Sequence, residues 1–495
     1  MTEVDVPIDQ AGLQPKLAHV GFLMGSQLVK WSLRLVFVLV VARALGPETL
    51  GVYTLIYAVV ELLAVASGTG YADYLTREAA KDPRVGWGLA FQLVALRIAI
   101  AVPVALVEIG ILSLMSYPRT VLTGTAWMVL AIVPRSLSEA VQGVLRGMHR
   151  YISCLVIEIV FGGSLVAGAV VLLLRHGQLG TVITIEVIAA IAAGLGGLAF
   201  TLKYRTKSLI WLSGSQLLKK SVVFNAYGLI ANLYDRFDVV LLSKLAGDYA
   251  TGVYSVAYRA LSMTQVVGFA VLNSLLPTLS RDARVQVEQR RLGRAAGLLL
   301  SVAFFLLLAT VVFAGPAVAL ILGPRYAESA TALKFLIWAV IFRYLNYALN
   351  TGLLAAGRER VFVRTMLTCL AVNLIGNLLL IPRFGWRGAA AMTIVTELAL
   401  LIQTIYWVRR IMGNVAIPWA GARTSLAFGV LLAVALAGSR LGAPLLVGTG
   451  CLVFYAAYLY RSGLITEFAA VWGPKGPIQR EILDERQLGA SSILG

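Results

Sequence analysis

A chain of 495 residues that is 59% hydrophobic and 13% charged cannot close around a single aqueous core. Soluble domains carry about 25% charged residues, so a mean hydropathy of +0.84 requires much of the surface to face lipid. The net charge of +18 sits in short loops between apolar runs, without an aromatic-interleaved basic face, which argues against nucleic-acid binding and for membrane topology.

A helix needs about 20 apolar residues to cross the hydrocarbon. Runs of that order are predicted at 17–44, 50–70, 87–115, 121–145, 151–174, 180–202, 221–245, 251–277, 295–322, 329–355, 362–381, 388–408, 423–439 and 444–460. The first carries Lys30 and Arg34 and the thirteenth is short, so the range is thirteen to fourteen transmembrane helices in an all-α polytopic protein. Glu3, Asp5 and Asp9 have the wrong sign for a cleavable signal, so none is expected. Cys154, Cys369 and Cys451 lie inside apolar runs, with neither metal-ligand nor disulfide spacing.

Lys and Arg in the flanking loops set orientation. With the N-terminus cytoplasmic, one side holds 26 of them, from Lys16 through Arg77, Arg146, Lys203, Arg281, Arg358 and Arg409 to Arg486. The other side holds 9: Arg43, Arg119, Arg175, Lys244, Arg325, Lys334, Arg383, Arg387 and Arg440. Both termini are therefore expected on the cytoplasmic side of the inner membrane, with an even helix count. The basic segments 203–220 and 278–294 read as amphipathic linkers on the membrane surface, and the tail after Arg461 as loosely ordered.

The chain also repeats itself. Gly46-Pro47-Glu48-Thr49-Leu50-Gly51-Val52-Tyr53, followed by Tyr57, returns as Gly247-Asp248-Tyr249-Ala250-Thr251-Gly252-Val253-Tyr254, followed by Tyr258, at an offset of 201. Arg43 aligns with Lys244 at the same offset. A weaker echo links Gly143-Val144-Leu145 to Gly352-Leu353-Leu354, each followed by a glycine and a basic turn. Six helices per repeat make the halves parallel, related by an axis along the membrane normal. The expected division is an N-lobe at 1–206, a C-lobe at 207–413, and two further helices with a cytoplasmic tail at 414–495.

Seven cations fall within the helices: Lys30, Arg34, Arg97, Arg135, Arg236, Arg259 and Arg343. A central charge facing lipid costs about 2.5–3.5 kcal/mol even on the lenient scale, so these groups must face water, a partner or one another. Ser26, Lys30 and Arg34 share one helical face and have no acid on it. Arg97 lies about 15 Å deep at 1.5 Å per residue, and neither it nor Arg259 has an acid within one turn. Asn225, Asn232 and Arg236 fall near one stripe, flanked by Asp235 and Asp238, and Asp235 is the repeat mate of Arg34. Arg135 and Arg343 are expected to pair with nearby acids such as Glu139 or to snorkel toward the interface. Glu61, Asp235 and Asp238 are the candidates for proton or sodium coupling; no cofactor or metal is otherwise expected.

These residues carry a resemblance. Arg43-Ala44-Leu45-Gly46-Pro47-Glu48, Gly51-Val52-Tyr53 and Thr76-Arg77-Glu78-Ala79-Ala80 resemble the opening of polysaccharide-transporter flippases of the multidrug/oligosaccharidyl-lipid/polysaccharide exporter superfamily. The run Leu275-Leu276-Pro277-Thr278-Leu279-Ser280-Arg281 looks like the matching part of that family's second half. The resemblance implies two six-helix lobes in a V, with the first and seventh helices lining the cleft. It also implies alternating-access transport of a polyprenyl-(pyro)phosphate-linked oligosaccharide to the outer leaflet, alongside other polysaccharide-assembly membrane proteins. Lys30, Arg34, Arg97, Arg236 and Arg259 would be its cavity cations. Two other readings compete. A multidrug or cation antiporter of the same superfamily would favour acids in its cleft. A membrane glycosyltransferase or polymerase would need a catalytic acid in a substantial outer loop, and the outer loops here are short.

Overall fold

The computed structural model describes residues 13–68, 71–204, 214–268, 285–415, 419–440 and 444–463, all helical apart from short turns and with no strand among them. In chain order the helices are α1 (Leu13–Ala66), α2 (Tyr71–Lys81), α3 (Pro83–Leu114), α4 (Arg119–Val129), α5 (Ile132–Gly147), α6 (Tyr151–Leu174) and α7 (Leu179–Tyr204). They continue as α8 (Gly214–Met263), α9 (Val285–Ile321), α10 (Ala327–Leu336), α11 (Ala339–Ala355), α12 (Glu359–Phe384), α13 (Trp386–Met412), α14 (Trp419–Arg440) and α15 (Pro444–Arg461). Eight described helices are long and apolar enough to cross a membrane, nine when α10 and α11, bent by 44°, count as one span.

Two of the helices are hairpins. The apolar stretch Leu28–Ala66 is 39 residues long, which at 1.5 Å per residue is about 58 Å, nearly twice the hydrocarbon thickness. Arg34 nevertheless donates to the Tyr53 hydroxyl at 2.9 Å, although nineteen residues of straight helix would separate them by about 28 Å. The chain folds back at Gly46, whose φ of 82° and ψ of 173° are open to glycine and strained for other residues. Helix α8 repeats the device at Gly247, with φ 85° and ψ 176°, and there the Tyr254 hydroxyl reaches back to Asp238 at 2.6 Å. The pairs of runs predicted at 17–44 with 50–70, and at 221–245 with 251–277, are these arms over their described parts.

The fourth and tenth runs are broken alike. The fourth is divided between α4 and α5 at Leu130-Ala131, the tenth between α10 and α11 at Ile337-Trp338. In α5 the early Pro134 has no amide hydrogen to lose. Within the basic segments, 214–220 and 285–294 are helical and continuous with the longer helices that follow them. Residues 205–213 and 269–284, the tail beyond 463, and the side chains of Ser26 and Asn225 lie outside the described residues.

Hairpin α1 packs most extensively against hairpin α8. Around that seam Phe37, Leu55 and Val182 of the first half join Val256, Val318 and Tyr326 of the second in one apolar core. A second core gathers Leu299, Tyr344, Ala389 and Tyr455 from the C-terminal half, including the last helix. Helices α14 and α15 lie on α9, with Phe304 and Phe428 stacked at 4.3 Å between ring centroids. The outside is apolar: Leu114, Leu174, Leu320 and Leu446 are each at least 74% exposed, which fits a lipid solvent.

Candidate functional site

Most intramembrane cations have carboxylate partners, and these come from other helices. Lys30 pairs with Glu158 of α6 at 3.0 Å. Arg34 pairs with Glu186 of α7 at 2.6 Å, and the Tyr53 hydroxyl donates to the same carboxylate at 2.5 Å. Arg97 of α3 pairs with Glu139 of α5 at 2.5 Å and donates to the Ala64 carbonyl at 3.2 Å. The pair itself lines a small crevice with room for about one water molecule, together with Gly68, Tyr71, Leu93 and Ser136. Arg343 pairs with Glu397 at 2.7 Å, both nearly inaccessible. The lack of an acid near Lys30, Arg34 and Arg97 therefore holds only along their own helices. Arg135 departs from its expected partner: it takes Glu61 at 2.9 Å and leaves Glu139 to Arg97.

The remaining two, Arg236 and Arg259, form no ion pair among the described residues. Arg236 lies over the Tyr57 ring at 5.6 Å. Arg34 lies over the same ring at 4.4 Å and Arg135 at 6.0 Å. Arg259 lies within electrostatic range of Tyr53, Tyr57, Arg34 and Arg236. Hairpins α1 and α8 and helix α5 thus bring four guanidinium groups to one pair of tyrosines. Glu186 and Glu61 pair with Arg34 and Arg135, and Asp235 and Asp238 act on Arg236 through space without forming an ion pair with it. Nε of Arg34, Nε of Arg236 and Nη2 of Arg259 are buried without an acceptor. A buried donor left unpaired costs about 1–3 kcal/mol, so an anion that accepted from these nitrogens would relieve that cost. Guanidinium suits phosphate, with a planar fork of donors that stays charged in low dielectric. Of the five predicted cavity cations, Arg34, Arg236 and Arg259 converge here; Lys30 and Arg97 are held at Glu158 and Glu139.

The acids divide similarly. Glu61 is the counter-ion of Arg135. Asp238, 4% exposed, accepts from Tyr254 Oη at 2.6 Å and from the Val239 amide at 2.7 Å. Tyr254 in turn touches Thr393 of α13 at 3.0 Å. Asp235 accepts from Tyr258 at 3.2 Å. Both hydroxyls belong to the repeated G-V-Y-x3-Y motif. Sequence reading quoted those four tyrosines as repeat markers and missed their role: Tyr53 and Tyr57 line the guanidinium cluster, and Tyr254 and Tyr258 hold the two aspartates. Glu158 and Glu186 belong to the helical acids from which counter-ions are expected, but the sequence does not show which cation each takes.

Comparison with known proteins agrees with this architecture. A probable low-salt glycan biosynthesis flippase, Agl15 of Haloferax volcanii, is 22% identical over 432 residues, covering 83% of this chain and 86% of its own. Among solved structures, the lipid II flippase MurJ in an inward closed conformation superposes with a TM-score of 0.67 at 11% identity, over 89% of this chain and 99% of its own. An inward-facing multidrug resistance MATE family transporter of the MOP superfamily gives 0.61 at 12% identity, over 77% and 94%. These likenesses show a shared transporter fold. The model of the polysaccharide biosynthesis protein family matches residues 17–282, more than half of the 495-residue chain, and the protein belongs to that family.

Proposed function

We propose that the chain is a flippase that carries a polyprenyl-(pyro)phosphate-linked oligosaccharide from the cytoplasmic to the outer leaflet by alternating access. One observation carries the reading: Arg236 lies over the Tyr57 ring and Arg259 acts electrostatically with Tyr53, Tyr57 and Arg236, and neither guanidinium forms an ion pair among the described residues. Their unpaired charge supports transport of an anion, and the family and the glycan flippase among its relatives support a lipid-linked glycan. The phosphate would sit against the guanidinium groups while the lipid tail stays in the bilayer. Lys30 and Arg97 belong to the site as outlying cations, screened by Glu158 and Glu139 until the halves rearrange. A cleft of this sign disfavours the antiporter reading, since cationic drugs would be repelled.

Coupling to protons or sodium is assigned to Asp235 and Asp238 ahead of Glu61. Their partners are neutral hydroxyls, so a proton or small cation can compete for them, whereas Glu61 is already held by Arg135. The protein is placed in the cytoplasmic membrane with both termini inside, working beside other polysaccharide-assembly membrane proteins, and needs no cofactor. The test is depletion of the protein followed by analysis of lipid-linked intermediates on each leaflet. A lipid-linked oligosaccharide should accumulate on the cytoplasmic leaflet; the absence of any accumulating intermediate rejects the proposal.

A further inference from the structure

Each hairpin break carries a cation toward the other half of the molecule. Arg43, three residues before Gly46, donates from Nη1 to the carbonyls of Leu320 and Ile321 at 3.1 and 2.9 Å. These are the last residues of α9. Lys244, three residues before Gly247, donates to the carbonyl of Met115, the residue that follows α3, and lies 5.0 Å from the Tyr117 ring. Arg43 and Lys244 are repeat mates, and α3 and α9 each end in the turn before a broken helix.

Two tyrosines complete the exchange. Tyr117, just beyond α3, donates to the Val240 carbonyl at 3.4 Å, and Tyr326, just beyond α9, donates to the Ala42 carbonyl at 2.9 Å. Between these corners the hairpins touch through backbone. A Cβ on Gly51 would stand 1.9 Å from the Asp248 carbonyl oxygen, and one on Gly252 would stand 1.8 Å from that of Pro47. Thr54 and Ser255, again 201 positions apart, share a hydrogen bond at 3.4 Å. The last carbonyls of a helix have no donor within it and form the negative end of its dipole. A cation or hydroxyl from the opposite half supplies what water would otherwise give.

We propose that these reciprocal caps form a two-point latch. The face bearing Gly46 and Gly247 stays shut while Arg43 caps α9 and Lys244 caps α3. Because the caps are related by the repeat, rocking the halves apart breaks both together. Arg43 and Lys244 are exposed, and exposed charge contacts are individually weak, as a contact remade in every cycle must be. The identity of this face as the outer one, and of the cargo it holds back, rests on the flippase reading; the caps themselves do not.

The test uses the full-length chain in proteoliposomes, with Cys154 and Cys369 replaced by serine and buried Cys451 kept as an internal control. Thr54→Cys is labelled with a membrane-impermeant maleimide from the face bearing Gly46, and a Thr54→Cys/Ser255→Cys pair is crosslinked by mild oxidation. Arg43→Gln with Lys244→Gln should speed Thr54→Cys labelling at least threefold, lower the crosslink yield and leave Cys451 unlabelled. Arg43→Lys with Lys244→Arg should behave as the parent. Unchanged labelling and crosslinking in the neutralised pair overturns the latch. So does a rise shared by the charge-preserving pair or by Cys451. Glycolipid transport is measured in parallel on the parent: a working latch with no transported lipid-linked glycan would count against the flippase reading and leave the latch standing.

Discussion

Arg343 and Arg259 are both guanidinium groups withdrawn from water, but they are answered differently. Each has one buried nitrogen without an acceptor, but Arg343 is paired with Glu397 at 2.7 Å, whereas Arg259 forms no ion pair among the described residues. Removing one partner of a buried pair typically costs about 3–5 kcal/mol because the other charge is stranded. Glu397→Gln is therefore expected to lower the thermal midpoint in detergent sharply. Arg259→Gln removes an unsatisfied donor and an uncompensated charge, so its midpoint should hold or rise while glycolipid transport falls at least tenfold. Equal destabilisation by the two substitutions would make Arg259 a structural residue. The aspartates give a separate prediction. Asp238→Asn keeps one oxygen to accept from the Val239 amide and presents an N–H that can donate to the Tyr254 oxygen, but it cannot bind or release a charge-compensating ion. Glycolipid binding should persist, and its acceleration by an imposed proton or sodium gradient should disappear. At this scale the sequence disclosed which residues are cations and roughly how deep they lie. It hid their partners, because the ion pairs of Lys30, Arg34 and Arg97 join positions 128, 152 and 42 apart, while inspection of one helix reaches only its own turns.

Elements were more legible, for a physical reason: apolar runs of spanning length have few alternatives in lipid. The fourteen runs fall on helices over their described parts, and the 201-residue echo marks two breaks whose glycines share the same backbone conformation. The partner of each hairpin was not legible, since G-x4-G-V-Y reads equally well as a tight turn. Gly51 and Gly252 in fact admit the opposing backbone. Adding a methyl group there drives a Cβ into a carbonyl oxygen that cannot swing aside, and overpacking of this kind costs about 1–3 kcal/mol. Gly51→Ala and Gly252→Ala should each lower the thermal midpoint and the Thr54→Cys/Ser255→Cys crosslink yield. Gly110→Ala, with open space around its Cβ position, should leave the midpoint level or raise it, as alanine favours helix. A midpoint as low in Gly110→Ala as at the seam would mean that glycine is needed for helix flexibility and not for close approach.

Across the whole molecule, the latch contacts fix a common side. Arg43 reaches the end of α9 and Lys244 the end of α3, so both hairpin breaks and both helix ends share one face. That arrangement agrees with parallel repeats containing an even number of crossings. On the sequence-based assignment Lys and Arg, at 26 against 9, are scarce on this same face, and the positive-inside rule predicts that it is the outer one. Charge bias and contact geometry are independent, one acting during insertion and the other after folding, so their agreement can be checked by labelling. Single cysteines at exposed Glu48 and Arg119, on the latch face, should react with an impermeant maleimide in intact cells. Cysteines at exposed Arg84 and Arg358, at the opposite ends of their helices, should react only after permeabilisation. Labelling of Glu48→Cys and Arg358→Cys from the same side would break the repeat into antiparallel halves. The guanidinium cluster could not then face each leaflet in turn by rocking about the α1–α8 seam.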